Sequence, residues 1–265
     1  MNKGIFKADL YRIFKSKLSF VSLILAVGFP LFMSLMYYGI DLMMNALDDT
    51  EDMMFSLFNV RTLIASAYSL SDNLGLIIPI FAAIFVSLDS TNGTMRNKII
   101  SGASRTKVYL SHLFASMLYN AIIITIYALF TILFGLIFFD WGVEFAGEEV
   151  TRFIYLVIIG TMTFIYIATI STLLALILNN VAPAIIFTVL ISVGLGLATT
   201  VIRLIDYEDF KYLVYLIPTF STGSALLFNP TIDNIMFIEG VLSLVVFGGL
   251  NTFLGILVFR KKELK

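Results

Sequence analysis

The sequence predicts an all-α polytopic membrane protein with six transmembrane helices, and three observations carry that prediction. Hydrophobic residues make up 59% of the chain and charged residues only 13%, against about 25% charged in an ordinary soluble domain. Six runs are long enough to cross ~30 Å of hydrocarbon, which takes about 20 apolar residues in helical form. The cations then gather at alternate ends of those runs, which implies an orientation.

The runs are Leu18–Tyr38, about Leu70–Leu88, Leu110–Phe139, Phe153–Leu178, Ala184–Leu204 and Ile235–Phe259. The second is the weakest, because Asp72 and Asn73 stand at its start; alternatively it begins nearer Leu63, with that polar pair at the membrane edge. The third exceeds what a bilayer needs, so it projects beyond the membrane or tilts. Pro30 and Pro79 fall inside the first two runs, where proline kinks a helix. Pro183 opens the fifth, where proline is tolerated.

Ahead of the first run, "GIFKADLYRIFKSK" places Phe6, Leu10, Ile13 and Phe14 on one helical face, with Lys3, Lys7, Arg12 and Lys15 around the rest. Residues 1–17 are therefore expected to form an amphipathic helix lying in the membrane interface. It serves as a topology anchor, or it also helps cradle a partner. The basic stretch leads into a run long enough to span, so the segment is read as a retained span and not as a cleavable signal.

The lysines and arginines set the topology. Lys3, Lys7, Arg12, Lys15 and Lys17 precede the first span; Arg96, Lys98, Arg105 and Lys107 separate the second and third; Arg260, Lys261, Lys262 and Lys265 follow the sixth. Those are 13 of the 17 cations, while 15 of the 18 acids fall on the opposite side. Cytoplasmic loops are enriched in Lys and Arg, so both termini are expected in the cytoplasm of a plasma-membrane protein.

"KYLVYLIPTFSTGSALLF" (Lys211–Phe228) is apolar but broken by Pro218 and the Ser/Thr/Gly cluster after it. A seventh span there would carry "RKKELK" to the outside, so residues 205–233 are expected to form a re-entrant extracellular hairpin packed against protein. The acidic loop Asp41–Asp72 is expected outside as well, with "MMFSLF" as a short surface helix. The whole of 1–265 reads as one transmembrane domain.

Several chemistries are excluded. Without cysteine there is no disulfide, thiol catalysis or thiolate metal site, and His112 alone cannot make a His-rich one. No G-x-x-x-x-G-K-[ST] loop is present to cradle phosphate, so any ATP hydrolysis belongs to another chain. Ionisable residues fall at or near span ends, whereas ion-coupled carriers usually keep one at mid-membrane. The spans instead carry neutral groups such as Asn120, Thr125, Thr131, Ser171, Thr172, Ser192, Asn251 and Thr252. These either hydrogen-bond between helices or line a path for an amphipathic cargo. "GEEVTR" (Gly147–Arg152) suggests an intramembrane protease, but that chemistry needs several histidines. Glu148 and Glu149 are therefore read as a solvated acidic loop, with Asp140, Trp141 and Glu144 at the interface.

The segment between the second and third spans, residues 89–109, is the richest in signals. "DSTN" is a cap-forming cluster, "GTMRNKIIS" supports two to three helical turns closed by Gly102, and Ser104 can cap the next helix. The short helix is expected to present Met95, Ile99 and Ile100 as an apolar knob rimmed by Arg96 and Lys98. The plain alternative is a loop that is basic only to set topology.

At Asp89, Gly93-Thr94, Ile99-Ile100, Ser104-Arg105 and Tyr109-Leu110 this segment resembles the first cytoplasmic loop of type-2 ABC exporter permeases. It departs from their pattern at Gly102-Ala103, where they often have proline, and at Asp89, where glutamate is usual. The resemblance extends to the amphipathic first helix, the six spans and the broken hairpin before the last. It implies a non-catalytic permease subunit whose residues Gly93 to Arg105 form a coupling helix seated in an ATP-binding subunit. Two copies of that subunit, holding ATP and Mg, and a second permease copy or paralogue would complete the exporter. The chain itself would bind no cofactor, no metal and no nucleic acid, and would touch membrane lipids. A peptide, peptide antibiotic or toxin is the favoured substrate class. The alternatives are an ATP-independent secondary transporter or channel, and a membrane immunity or assembly factor.

Overall fold

A computed structural model describes residues 3–45, 59–70, 77–178, 180–204 and 234–262. Among them the chain is all-helical: α1 (Lys3–Lys15), α2 (Lys17–Asn45), α3 (Val60–Ala67), α4 (Ile77–Thr91), α5 (Thr94–Ile100), α6 (Arg105–Phe138), α7 (Glu148–Leu178), α8 (Val181–Leu204) and α9 (Asn234–Lys261). The expected "MMFSLF" helix, the re-entrant hairpin at 205–233 and the polar start of the second span lie outside the described residues.

Five helices, α2, α6, α7, α8 and α9, are long and apolar enough to cross a membrane. α4 has 15 described residues and reaches that length only when joined to α5 across a 54° bend. The chain thus has five to six candidate spans among its described residues. With 34 residues, α6 is about 50 Å long at 1.5 Å per residue, well beyond the hydrocarbon thickness, as the length of its apolar run predicts. Pro30 is accommodated inside a continuous α2, and Pro183 sits in the first turn of α8.

The bundle is apolar on its outside, the arrangement that lipid rather than water stabilises. α8 exposes Ile186, Phe187, Leu190 and Leu197, and α9 exposes Leu242, Val245, Leu250 and Phe253. α7 is the central helix, packed against α4, α6, α8 and α9. Glycine permits two of the closest approaches. At Gly160 of α7 a Cβ would collide with the ring of Tyr68, and at Gly255 of α9 it would collide with the phenol of Tyr109 on α6. Small residues at such crossings let helices gain dispersion contact where no hydrophobic drive operates.

Most polar groups inside the spans serve their own helix. The hydroxyls of Thr125, Thr131, Ser171, Thr172, Ser192 and Thr252 each donate to the carbonyl four residues earlier, at 2.7 to 2.9 Å. Asn120 donates across to the Phe164 carbonyl at 3.2 Å, and Asn251 to the Thr169 hydroxyl at 3.3 Å. The asparagines therefore bridge helices, and these hydroxyls do not.

At the end of the bundle away from α1, α3 starts with a reciprocal cap. The Asn59 side chain accepts the Thr62 N–H at 2.8 Å, and the Thr62 hydroxyl oxygen accepts the Asn59 N–H. The reading of Glu148 and Glu149 as a solvated loop holds for the exposure of Glu148 and is corrected otherwise. Both lie in the first turn of α7, and Glu149 is buried, 3.1 Å from the Arg61 guanidinium on α3. Negative side chains are favoured at a helix N-terminus, and a buried carboxylate needs a partner. Trp141 packs edge-on against Phe145 and Phe153.

Candidate functional site

The opposite end of the bundle gathers the basic α1, the α4–α5 bend, the start of α6 and the end of α9. Gly93 and Gly102 frame α5, with φ of 70° and 94°, a backbone region that glycine enters without strain. The C-terminal frame is the expected one: the Gly102 N–H reaches the Ile99 carbonyl and the Ala103 N–H the Lys98 carbonyl, at 3.0 and 3.1 Å. The N-terminal frame differs from the expectation. "DSTN" extends and closes α4, with the Thr91 hydroxyl and the Asn92 N–H both donating to the Leu88 carbonyl. Gly93 takes the N-cap position of α5, so no side chain caps it. Ser104 occupies the N-cap position of α6 with extended backbone, also without a capping side-chain bond.

The proposed knob is corrected as well. Met95 is buried, packed with Val86, Val108, Tyr109, Leu113 and Phe259. Seven residues make only two turns, and the turn that meets α4, α6 and α9 must be apolar to seal the bend. Ile99 is half-buried, whereas Ile100 is 72% exposed and Arg96 is exposed beside it. The outward face of α5 is thus Arg96 and Ile100.

Lys98 turns the other way, into a buried ionic cluster built by four helices. Asp9 and Arg12 come from α1, Asp89 from the last turn of α4, Lys98 from α5, and Ser111 and His112 from α6. Asp9 is 1% exposed, His112 2% and Asp89 7%. One Asp9 oxygen accepts from the Lys98 ammonium, and the other accepts from the Ser111 hydroxyl at 2.6 Å. Arg12 pairs with Asp89 and lies 3.5 Å from Asp9. The Lys98 ammonium also contacts Nε2 of His112 at 3.2 Å, and Nδ1 of His112 is 3.0 Å from Asp89. An ammonium has no lone pair, so Nε2 accepts and the neutral imidazole carries its proton on Nδ1, donating to Asp89. His112 thereby links one acid–base pair to the other.

The electrostatics close without an added ion. Two carboxylates face two permanent cations, which is how buried charge becomes tolerable. Burial pushes the Asp9 carboxyl up, but the Lys98 charge and the hydrogen bonds from Lys98 and Ser111 hold it below its ordinary value. Burial pushes the Lys98 ammonium and the Arg12 guanidinium down, each partly offset by Asp9. Ligand atoms of Asp9, Asp89 and His112 lie within 4.8 Å of one another. A divalent cation placed among them would have to displace Lys98 and Arg12, so the arrangement suits an internal lock better than a metal centre.

Arg105 makes a second lock. Its Nη1 donates to the carbonyls of Lys262 at 2.6 Å and Arg260 at 2.9 Å, at the end of α9. A cation there satisfies orphan carbonyls and the negative end of the helix dipole. Arg260 returns the contact through Nε to the Thr106 hydroxyl at 3.0 Å.

The predicted α1 face is used against protein. Ile13 is buried, Phe6 and Leu10 pack on the core, and Phe14 meets the ring of Tyr119 edge-on with centroids 6.0 Å apart. Sequence reasoning missed Asp9, although one signal was present: it is the only acid in a helix otherwise charged by Lys and Arg, one turn before the buried Ile13. Of the predicted site residues, Asp89, Met95, Lys98 and Arg105 point inward. Arg96, Ile100 and Ser104 are exposed, and Gly93, Thr94 and Ile99 are intermediate.

The comparison with curated proteins finds no match. A family model described as "Protein of unknown function (DUF2705)" matches residues 23–264, from within α2 to beyond the end of α9. That is most of the chain, and the protein belongs to the DUF2705 family.

Proposed function

We propose that this chain is the permease subunit of an ATP-driven exporter of the type-2 ABC class, with six spans and both termini in the cytoplasm. The observation that carries the reading is α5. A two-turn helix set between glycine hinges and bent 54° from α4 presents Arg96 and Ile100 outward, while Lys98 ties its inner side to α1. A separate ATP-binding subunit with an acidic-rimmed apolar groove would seat that outer face. Movement of α5 would pass through Gly93 and Gly102 to α4 and α6, and through Lys98 to α1. A peptide or other amphipathic molecule is the substrate class, and a second permease chain completes the assembly.

The test is co-purification of the chain from its native membrane with any nucleotide-binding subunit. An ATPase should come with the wild type and be lost with Arg96→Glu plus Ile100→Glu, whose side chains do not support the fold. A chain that purifies alone and carries flux without ATP would sink the proposal in favour of a secondary transporter or channel.

A further inference from the structure

A groove of about 530 Å³ lies where α1, α6 and α7 meet, lined by Phe6, Phe114, Met117, Leu118, Ala121 and Ile165. Its volume is that of small-molecule sites, ~300–1,000 Å³. The lining is wholly apolar, and Phe114 and Leu118 are 43% and 40% exposed within it. On a face immersed in hydrocarbon, a concavity of this kind is filled by an acyl chain or by protein.

Its rim decides between them. Lys107 lies two turns before Phe114 on the same strip of α6, since positions 107, 114, 118 and 121 recur at helical spacing. Lys7 follows Phe6 on α1. Both lysines are exposed, and neither joins an ion pair among the described residues. Asp9, the acid nearest Lys7 in sequence, is turned away, paired with Lys98 and hydrogen-bonded by Ser111. An apolar slot whose lining strip on α6 leads to Lys107, and whose α1 residue Phe6 adjoins Lys7, is complementary to an acyl chain carrying an anionic headgroup.

We infer that this groove is a specific site for an anionic phospholipid, its acyl chain against Phe114, Leu118 and Ala121 and its phosphate between Lys7 and Lys107. The lipid would pin α1 onto the bundle beside the ionic cluster. This site is independent of the transport reading.

The probe is phosphatidylglycerol against phosphatidylcholine with matched chains, read by native mass spectrometry of the full-length protein. The wild type should retain one phosphatidylglycerol in preference, by about fivefold per lysine. Lys7→Gln with Lys107→Gln should abolish the preference, and Lys7→Arg with Lys107→Arg should keep it. Ala121→Trp or Leu118→Trp, filling the slot, should reduce retention of both lipids with helicity unchanged. Equal retention of the two lipids by the wild type overturns the site, as does a preference that survives the glutamine pair. Lipid that stays bound to the slot-filled variants overturns it too. A dimer that retains no lipid assigns the groove to a second copy and also rejects the proposal.

Discussion

The Lys98 ammonium on α5 donates to the Asp9 carboxylate on α1, joining residues 89 apart in sequence. α5 is therefore not a loop hanging from two spans. It is fastened to the first helix of the chain through a buried pair that Ser111, His112, Asp89 and Arg12 complete. Asp9, Asp89 and His112 are buried, so water competes little for their contacts, and the cluster ties α1, α4, α5 and α6 together.

Removing both partners should cost less than the two single removals added together. Asp9→Leu leaves the Lys98 ammonium buried without its carboxylate, at an expected cost of ~3–5 kcal/mol. Lys98→Met alone strands Asp9 in the same way. The double variant keeps Arg12, His112 and Asp89 balanced, and should fall short of the sum of the singles by ~0.5–3 kcal/mol. Thermal unfolding of the four proteins in detergent measures the cycle, and strict additivity would show that the pair is not coupled.

Acid should dissolve the same cluster. Burial raises the Asp9 carboxyl, but the Lys98 charge and the hydrogen bonds from Lys98 and Ser111 hold it below its ordinary value. A depressed carboxylate stabilises the fold in full above its unfolded value, and that contribution is lost as pH falls through the native one. Melting temperatures of wild type and Asp9→Asn should thus differ from neutral pH down to about 4 and converge below it. A difference that persists unchanged below about pH 4 would contradict the assignment.

Arg105 should matter to the end of α9 more than to its own helix. Arg105→Gln removes the cation from the Arg260 and Lys262 carbonyls, at about 1–2 kcal/mol for a helix C-terminus. The visible consequence is faster amide exchange in the last turn of α9. Unchanged exchange there would mean that water replaces the guanidinium without loss.

Gly255→Ala should destabilise the crossing of α9 and α6 by ~1–3 kcal/mol, because the added methyl overlaps the Tyr109 phenol. Tyr109→Phe removes the oxygen that stands closest and should recover part of that loss. The hydroxyl has no hydrogen-bond partner to forfeit among the described residues. Full additivity of the two changes would place the strain elsewhere.

The long spans were readable because an apolar run of membrane length has few other ways to satisfy its backbone. α2, α6, α7, α8 and α9 correspond to five of the six predicted runs, and α4 corresponds only in part to the remaining one, Leu70–Leu88. The framing of α5 by Gly102 was equally legible, because a left-handed residue after a helix leaves a glycine in the sequence. The direction of each α5 side chain was not. Met95 and Lys98 lie three residues apart on a two-turn helix, and composition alone cannot say which side meets protein.

Asp9 shows the boundary most clearly. By itself it is one acid in a basic helix, and nothing local distinguishes a solvated carboxylate from a buried one. Its role depends on Lys98, Ser111 and His112, which arrive from two other helices. The sequence alone determined the helical class, the candidate spans and the segregation of charge, because hydrophobic length and local backbone preference act within a segment. Only the tertiary structure decided which charges are buried together, since that depends on the distances between segments far apart in the chain.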